Sequence, residues 1–515
     1  MQTHYPEYDH IFVVSDLHLG GDNGHRLFYM DKALAHVISE LRQGIGDDKR
    51  VLFVLNGDVV DFLTLESQEY LFSHTAVSKL EEIMNSEASK AVFDALAGFV
   101  RHKNNTLVIL VGNHDLELSF ASVQQALLDR LTESGLLAAR IIFVDDGSGY
   151  RCRIGGRNVL CTHGNETDGW NKVDYGGLAR IRSRIGRNLD FHDSQMLPAL
   201  GTLLVIRCFN RMRKGYPLLD LIKPEEVNGY LAPAVIPDIG QDLKRFFMVI
   251  PEHVRSALWR WLGDPYSPAE LHPLFLSAEM DMDCNGPNRE DIQEEFNRFR
   301  QGNELPALDS EEIEPFLGRM LQIMKFFGKE KWHPKFHLMF RSVIAKLKLH
   351  SFTGSLEYWR QQAWEKLNKY DLDSPFLLDT QDDISSRAWE GDDMVCGPEI
   401  DILVAGHTHL RRCIPRSNQV YYNTGTWIPL VHLPSELVND RDALFDFFDK
   451  LATRESLSSF RKPHTFAGVK TEPLIREQGT LLRMDRVSDH GCHCRLLEAD
   501  EHGNLQEVEE SAWPI

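Results

Sequence analysis

Five stretches of the chain share one pattern: a short unbroken apolar run that stops at a turn residue and a polar donor. The plainest is Val51–Leu55, whose continuous apolar character and β-branched members predict a strand buried on both faces. Asn56-Gly57 ends it as a turn pair, and the next side chain is Asp58. The same pattern recurs at Ile11–Val14, ending in Ser15-Asp16-Leu17-His18, and at Leu107–Val111, ending in Gly112-Asn113-His114-Asp115. It recurs again at Asn158–Cys161, ending in Thr162-His163-Gly164, and at Ile402–Ala405, ending in Gly406-His407-Thr408-His409. Helical periodicity fills the gaps over Asp31–Gln43, Val77–Val100 and Gln124–Ser134, and a turn at Asp145–Gly149 separates two short strands that lead to His163. Strand and helix alternating in this way predict a layered α/β architecture, two β-sheets with helices outside, and residues 1–165 supply its first half.

Between His163 and Gly406 no further block of this kind occurs. The stretch carries helical patterns at Leu178–Leu189, Leu197–Arg213, Gln241–Leu262, Asp291–Gln301, Ile313–Phe327, Lys335–Leu349 and Ser355–Leu367. It holds Trp259, Trp261, Trp332, Trp359 and Trp364, too aromatic for a disordered segment. We read residues 166–395 as an inserted helical cap and 396–515 as the second half of the core. There Val420–Trp427 reads as a strand and turn beneath the motif residues, and 433–475 as a polar, helical excursion. Gly479–Met484 and Cys492–Glu498 read as a terminal hairpin completing the second sheet. The fold class is therefore α/β, a four-layer α/β/β/α sandwich with a large inserted helical cap.

Length and composition add bounds. A chain of 515 residues with 43% hydrophobic and 26% charged residues has room for two compact bodies. The net charge of −20 argues against general nucleic-acid binding, which rests on basic surface. The charge is uneven: Trp170–Lys214 has nine basic and three acidic residues, and Ile323–Lys348 has seven against one, +6 in each. Arg180, Arg184 and Arg187 share one helical face, a candidate field for an anionic substrate, with Trp170 and Tyr175 nearby for stacking on a base or sugar. Eight scattered cysteines without framework spacing fit reduced thiols, and the start of the chain lacks a basic region and an apolar run, so a cytoplasmic location is expected. No stretch reaches the length of a membrane span, although the cap could touch a membrane peripherally. Cys492-His493-Cys494, beside His490, is too cramped to surround one ion and continues as a strand.

The strand ends carry the chemistry. Asp58 at the carboxyl end of a buried strand is costly without a positive partner, and the other four ends deliver Asp, Asn and His with no thiolate among them. Such a donor set suits a pair of hard or borderline divalent ions such as Mn, Fe, Zn, Ni or Mg. In Asp16/His18 and His407/His409 the two-residue spacing lets both donors reach one centre.

Asp-x-His, Gly-Asp-x-x-Asp, Gly-Asn-His-Asp, His-Gly and Gly-His-x-His, in this order, resemble the calcineurin-like metallophosphoesterase superfamily. The resemblance implies a metal-dependent phosphoric ester hydrolase. It assigns Asp16, His18 and His409 to one metal, Asn113, His163 and His407 to the other, and Asp58 as the bridge. Manganese is the favoured metal. A water between the ions would attack phosphorus in line, with His114 contacting the phosphate or protonating the leaving oxygen and Asp61 orienting it. The phosphate-gripping arginines of the phosphoprotein phosphatases are missing: Leu19, Phe62-Leu63 and Val111 stand at those places. Ser15–Gly20 and Gly406–His409 look more like the bacterial branch, which includes the UDP-2,3-diacylglucosamine pyrophosphohydrolases. His163-Gly164-Asn165 is close to that branch, whereas His114 departs from its usual Arg. The expected activity is hydrolysis of a phosphodiester or pyrophosphate bond in a small or lipid-linked anion. A nucleic-acid-processing phosphodiesterase, a phosphomonoesterase or protein phosphatase, and a non-catalytic scaffold are the alternatives.

Overall fold

The computed structural model describes residues 5–236 and 356–514, except 22–25, 65–70, 133–136, 190–195, 197, 214, 224–227, 370–371, 381–395, 417–418, 453–458 and 478. Met1–Pro237 and Leu356–Ile515 form one compact unit and Asp238–Ser355 another. The helices expected at 241–262, 291–301, 313–327 and 335–349, with the basic stretch 323–348, lie outside the described residues.

The first unit is an α/β sandwich. Its first ten strands are β1 (Glu7–Tyr8), β2 (His10–Val14), β3 (Val51–Asn56), β4 (Asn105–Leu110), β5 (Ile141–Val144), β6 (Tyr150–Ile154), β7 (Arg157–Cys161), β8 (Ile402–Ala405), β9 (Arg411–Arg416) and β10 (Gln419–Thr424). One sheet runs β2-β3-β4-β5, all parallel, and extends beyond β2 through three C-terminal strands. The other has the order β1-β6-β7-β8-β10-β9, with β7, β8 and β10 parallel. The turn at 145–149 carries the chain from one sheet to the other.

Every residue of β3 is buried. Successive side chains enter different cores, as the twofold strand period requires. Leu52 and Val54 meet Ile11, Val13, Val159, Ile402 and Val404 between the sheets. Val51, Phe53 and Leu55 face the helical layer. That layer contains α1 (Asp31–Glu40), α2 (Ser73–Asn85), α3 (Lys90–Arg101) and α4 (Ala121–Thr132). In α1 the buried residues are Ala33, Leu34, Val37 and Ile38, a stripe of helical period. A smaller cluster of Cys396, Ile400, Leu403, Ala405, Ile414 and Tyr421 closes the outer face of the second sheet.

Three expectations are revised. The single helix expected over Val77–Val100 is two helices, α2 and α3. Ser86 leaves α2 with extended backbone, and its carbonyl accepts the N–H groups of Ser89 and Lys90. Asn85, Ser86 and Ser89 favour such turns because their side chains compete for backbone partners. The terminal hairpin, Gly479–Ser488 with Gly491–Ala499, joins the sheet of β2 and not the other: Leu482 pairs with Val13 and Met484 with Ile11. There it covers the free edge of β2 and buries both faces, Leu482 and Met484 between the sheets and Leu481 toward the helices. The excursion 433–475 is less polar than expected, because Arg441–Ala452 buries Ala443, Leu444, Phe447 and Phe448 at helical spacing.

The segment after His163 contributes α5 (Tyr175–Ile185), and Val173, Leu178, Ile181 and Met196 join the helix-side core. The pattern at 197–213 becomes Leu200–Leu204, a π-helical turn Val205–Phe209 and Asn210–Arg213. The pattern at 355–367 becomes the helix Leu356–Leu367.

Candidate metal centre

All five predicted strand ends meet at the carboxyl edge of the two sheets. The first sheet brings Asp16 and His18 after β2, Asp58 and Asp61 after β3, and Asn113 and His114 after β4. The second brings His163 after β7 and His407 and His409 after β8. Three sets of donors lie within 4.8 Å of one another: Asp16/His18/His409, His18/Asp58/His114 and Asp58/His163/His407. Asp58 is in two of them.

The loops are locked to make this possible. Asp16, His18, Asp58, His407 and His409 all have left-handed backbone, with φ of 53°, 47°, 51°, 69° and 61°. For a non-glycine residue this conformation costs about 1–2 kcal/mol and persists only where its surroundings enforce it. Here the loops after β2 and β3 bind each other: the N–H groups of Asp16, His18 and Leu19 donate to the carbonyls of Gly57, Asp58 and Val59. Thr426 Oγ1 donates to the Asp16 carbonyl at 2.8 Å, which gives the turn after β10 its part in the site. The motif glycines supply space. A Cβ at Gly112 would lie 2.2 Å from Asp58 Oδ1, and one at Gly57 2.3 Å from His163 Nδ1.

Hydrogen bonds set which nitrogen of His163, His18 and His407 faces the centre. His163 Nδ1 donates to the Asn56 carbonyl at 2.9 Å, leaving Nε2 3.3 Å from Asp58 Oδ2. His18 Nδ1 donates to Asp61 Oδ2 at 3.2 Å, leaving Nε2 3.2 Å from His409 Nε2 and 3.8 Å from Asp58 Oδ2. His409 Nε2 is also 3.4 Å from Asp16 Oδ1. His407 Nε2 donates to Asp168 Oδ2 at 2.9 Å, which leaves Nδ1 as its ligand atom. Its backbone N–H donates to Asp16.

The donor set fits two divalent cations. Asn113 Oδ1 and His163 Nε2 are buried and have no hydrogen-bond partner. A buried acceptor left so costs about 1–3 kcal/mol, and a cation beside Asp58 would satisfy both. His18 Nε2 facing His409 Nε2 is likewise the arrangement of two lone pairs converging on one ion.

Charge follows the same geometry. Burial raises the Asp58 carboxyl, but the charges of His163, His114 and His18 outweigh it and hold Asp58 well below the carboxylate range. Asp16 is brought to about 2, against burial, by its bond to His409. Burial is the main reason His409 is pushed down to about 4, the neutral form a ligand needs. His163 is raised to about 10, against burial, by Asp58. His114 is raised to about 9, also against burial, by Asp61 and Asp58: its Nδ1 is 3.3 Å from Asp61 Oδ1 and its backbone N–H donates to Asp58 Oδ1 at 2.9 Å.

Sequence reasoning gave no role to Asp115 or Asp168. Asp115 is the last residue of the Gly112-Asn113-His114-Asp115 block. It is fully buried, is raised by burial and by Asp58 to about 8, and accepts the N–H groups of Val59 and Gly112, tying the loop of Asp58 to that of Asn113. Asp168 carried no signal in the sequence. Its carboxylate is aimed at His407 by the Trp170 N–H at 2.9 Å and Asn171 Nδ2 at 2.6 Å. Outer carboxylates of this kind orient and strengthen a histidine ligand. Asp168→Asn is therefore expected to weaken one of two metal equivalents by roughly 10–100-fold and leave the other unchanged. Competition against a chromogenic chelator measures both steps, and equal affinities in the variant would contradict this.

The three candidate substrate arginines lie on or just after α5. Asp174 caps that helix through the Gly177 N–H and also pairs with Arg180 at 3.3 Å; both partners are exposed. Arg184 is half-buried and Arg187 exposed. Tyr175 packs against the helix-side core. Cys492 and Cys494 are buried on one strand with sulfurs 3.7 Å apart, and His493 Nδ1 accepts from Arg495 at 2.7 Å.

Residues 10–197 match the family model of the calcineurin-like phosphoesterases (Metallophos). The match takes in four of the five strand ends, and the fold adds His407 and His409 to the same centre. Match and geometry together define the chain as a metal-dependent phosphoric ester hydrolase with a dinuclear divalent metal site. No curated protein matches the chain. Among the described residues no helix is long and apolar enough to cross a membrane.

Proposed function

We propose that the protein hydrolyses a phosphodiester or pyrophosphate bond of a small or lipid-linked anion, with manganese as its usual metal and the cytoplasm as its location. Asp16, His18 and His409 hold one cation, Asn113, His163 and His407 the other, and Asp58 both. The observation that carries this is the sharing of Asp58 between donor sets from both sheets. When bound, the two cations supply Lewis-acid activation of water and of the phosphoryl oxygens. His114 holds a proton beside the reacting centre, and Asp61 orients the ring and keeps that proton in place at neutral pH.

The absence of arginine where phosphoprotein phosphatases grip a dianionic monoester supports a diester or pyrophosphate. Leu19, Phe62, Leu63 and Val111 at those places are all buried apolar residues. The same feature, with His163-Gly164-Asn165, supports likeness to the UDP-2,3-diacylglucosamine pyrophosphohydrolases. Residues 166–395, read as a cap bearing Arg180, Arg184 and Arg187, would select the organic part of the substrate. The test is direct. Protein stripped of metal and reloaded with Mn²⁺ is expected to turn over bis(p-nitrophenyl) phosphate faster than p-nitrophenyl phosphate. A preference for the monoester would sink the diester reading, and salt-sensitive retardation of nucleic acid would favour a nuclease.

A further inference from the structure

Two carboxylates orient ligand rings from outside the centre: Asp168, which accepts from His407 Nε2, and Asp61, which accepts from His18 Nδ1. They stand in different loops, and one stretch of chain reaches both. It is Leu200–Arg213, two short α-helical pieces joined by the π-helical turn Val205–Phe209.

The start of this stretch is set against Asp168. Asp168 Oδ2 accepts from Asn171 Nδ2 at 2.6 Å as well as from His407 at 2.9 Å. A carboxylate only accepts, so the NH₂ end of the Asn171 amide faces Asp168. The other end, Oδ1, comes to rest on Gly201: a Cβ there would lie 2.0 Å from Oδ1 and 2.9 Å from Asn171 Cγ. The backbone makes a second route. The Gly201 N–H donates to the Trp170 carbonyl at 2.9 Å, and the Trp170 N–H donates to Asp168 Oδ1 at 2.9 Å. Residues 168–171 are thus held between His407 and Gly201. The end of the stretch is set against Asp61. Asn210 Nδ2 donates to the Leu63 carbonyl at 2.6 Å, and the Leu63 N–H donates to Asp61 Oδ1 at 3.0 Å. The π-helical turn packs on Phe62–Thr64 beside that bond. Such turns are frequent at functional sites, and this one separates the two points of contact, Gly201 and Asn210.

We propose that Leu200–Arg213 is a brace that sets the orientation of both outer carboxylates, with Asn171 and Asn210 as its positioning residues, one for each metal. The inference rests on the ligand assignment proposed above, His407 to one cation and His18 to the other. Asn171 fixes the direction in which Asp168 Oδ2 meets the His407 ring, and that ring must be aimed for its other nitrogen to bind a cation. Asn210 fixes the Leu63 peptide that holds Asp61 against His18. A segment that supplies no ligand thereby governs the affinity for each cation separately.

The test titrates Mn²⁺ into the full chain stripped of metal, in competition with a chromogenic chelator, so that the two equivalents are read separately and without turnover. His407→Ala and His18→Ala identify the two steps. Asn171→Ala is expected to weaken the His407 equivalent roughly 10-fold, the worth of one hydrogen bond to a charged group, and to leave the other in place. Asn210→Ala is expected to weaken the His18 equivalent and to spare the first. Gly201→Ala removes no donor, yet it is expected to match Asn171→Ala, because the added methyl pushes the amide off Asp168. The double variant is then no weaker than either single one. Additive losses in the double variant, equal losses at both equivalents, or unchanged affinities overturn the brace. If Gly201→Ala does not fold, the two asparagine variants decide on the same readings. Unchanged metal binding in His407→Ala or His18→Ala refutes the ligand assignment and the brace with it. Loss in those two with none in Asn171→Ala and Asn210→Ala refutes the brace alone.

Discussion

Asp58→Asn is expected to abolish turnover and to leave the protein short of both metal equivalents. Asp58 is the one side chain common to a donor set containing His18 and another containing His163 and His407. Its Oδ2 lies 3.3 Å from His163 Nε2 and 3.8 Å from His18 Nε2, while Oδ1 accepts the His114 N–H. Asparagine keeps the size and one acceptor oxygen but removes the charge. Two cations would then sit among buried imidazoles with only Asp16 as an anionic ligand. Removing one partner of a buried charge pair costs about 3–5 kcal/mol, or roughly 10²–10⁴ in affinity, here for each of two ions. The fold should survive, because β3 is anchored by apolar side chains on both faces and not by this carboxylate. Elemental analysis beside a thermal melt separates the outcomes: an active variant carrying two full equivalents of metal would rule out the shared role.

The legible part of this molecule is the part in which strand burial and donor chemistry coincide. A run such as Val51–Leu55 has no solvent-facing position, so its neighbours in space must be other strands and a helix layer, and the polar residue that ends it must sit at the sheet edge. That reasoning works one strand at a time, and it finds Asp16, His18, Asp58, Asn113, His163, His407 and His409, which the fold brings to one edge. It fails where position depends on the path of a loop. Asp168 lies in an irregular turn, and only the approach of β8 reveals that it faces His407. The terminal hairpin fails for another reason. Gly479–Ser488 and Gly491–Ala499 alternate in a way that suits either sheet, and the choice is made by the free edge of β2. The break between α2 and α3 was readable in Asn85, Ser86 and Ser89, but apolar periodicity continues through it and masks the turn.

His114→Ala is expected to keep both metals and to cut turnover by roughly 10²–10⁴, the usual worth of general acid catalysis. The imidazole is in contact with the centre on two sides, its ring edge-on to His18 at 4.8 Å and its Nδ1 at 3.3 Å from Asp61. Yet the bond from residue 114 to Asp58 comes from the backbone N–H, which alanine retains. The bridging carboxylate therefore keeps its orientation when the ring is removed. What disappears is the imidazolium that gives its proton to a departing alkoxide. This predicts a dependence on the leaving group: a p-nitrophenolate leaves without a proton, so bis(p-nitrophenyl) phosphate should be hydrolysed by the variant at a much larger fraction of the wild-type rate than an alkyl diester. A ring acting only by binding phosphate would give a different pattern, a rise in KM that is the same for both substrates. Asp61→Asn should show a weaker version of the leaving-group dependence, since it removes the charge that holds the His114 proton at neutral pH while leaving the ring in place. If His114→Ala instead loses one equivalent of metal, the imidazole is a ligand, and the donor set His18/Asp58/His114 belongs to the metal site and not to the proton path.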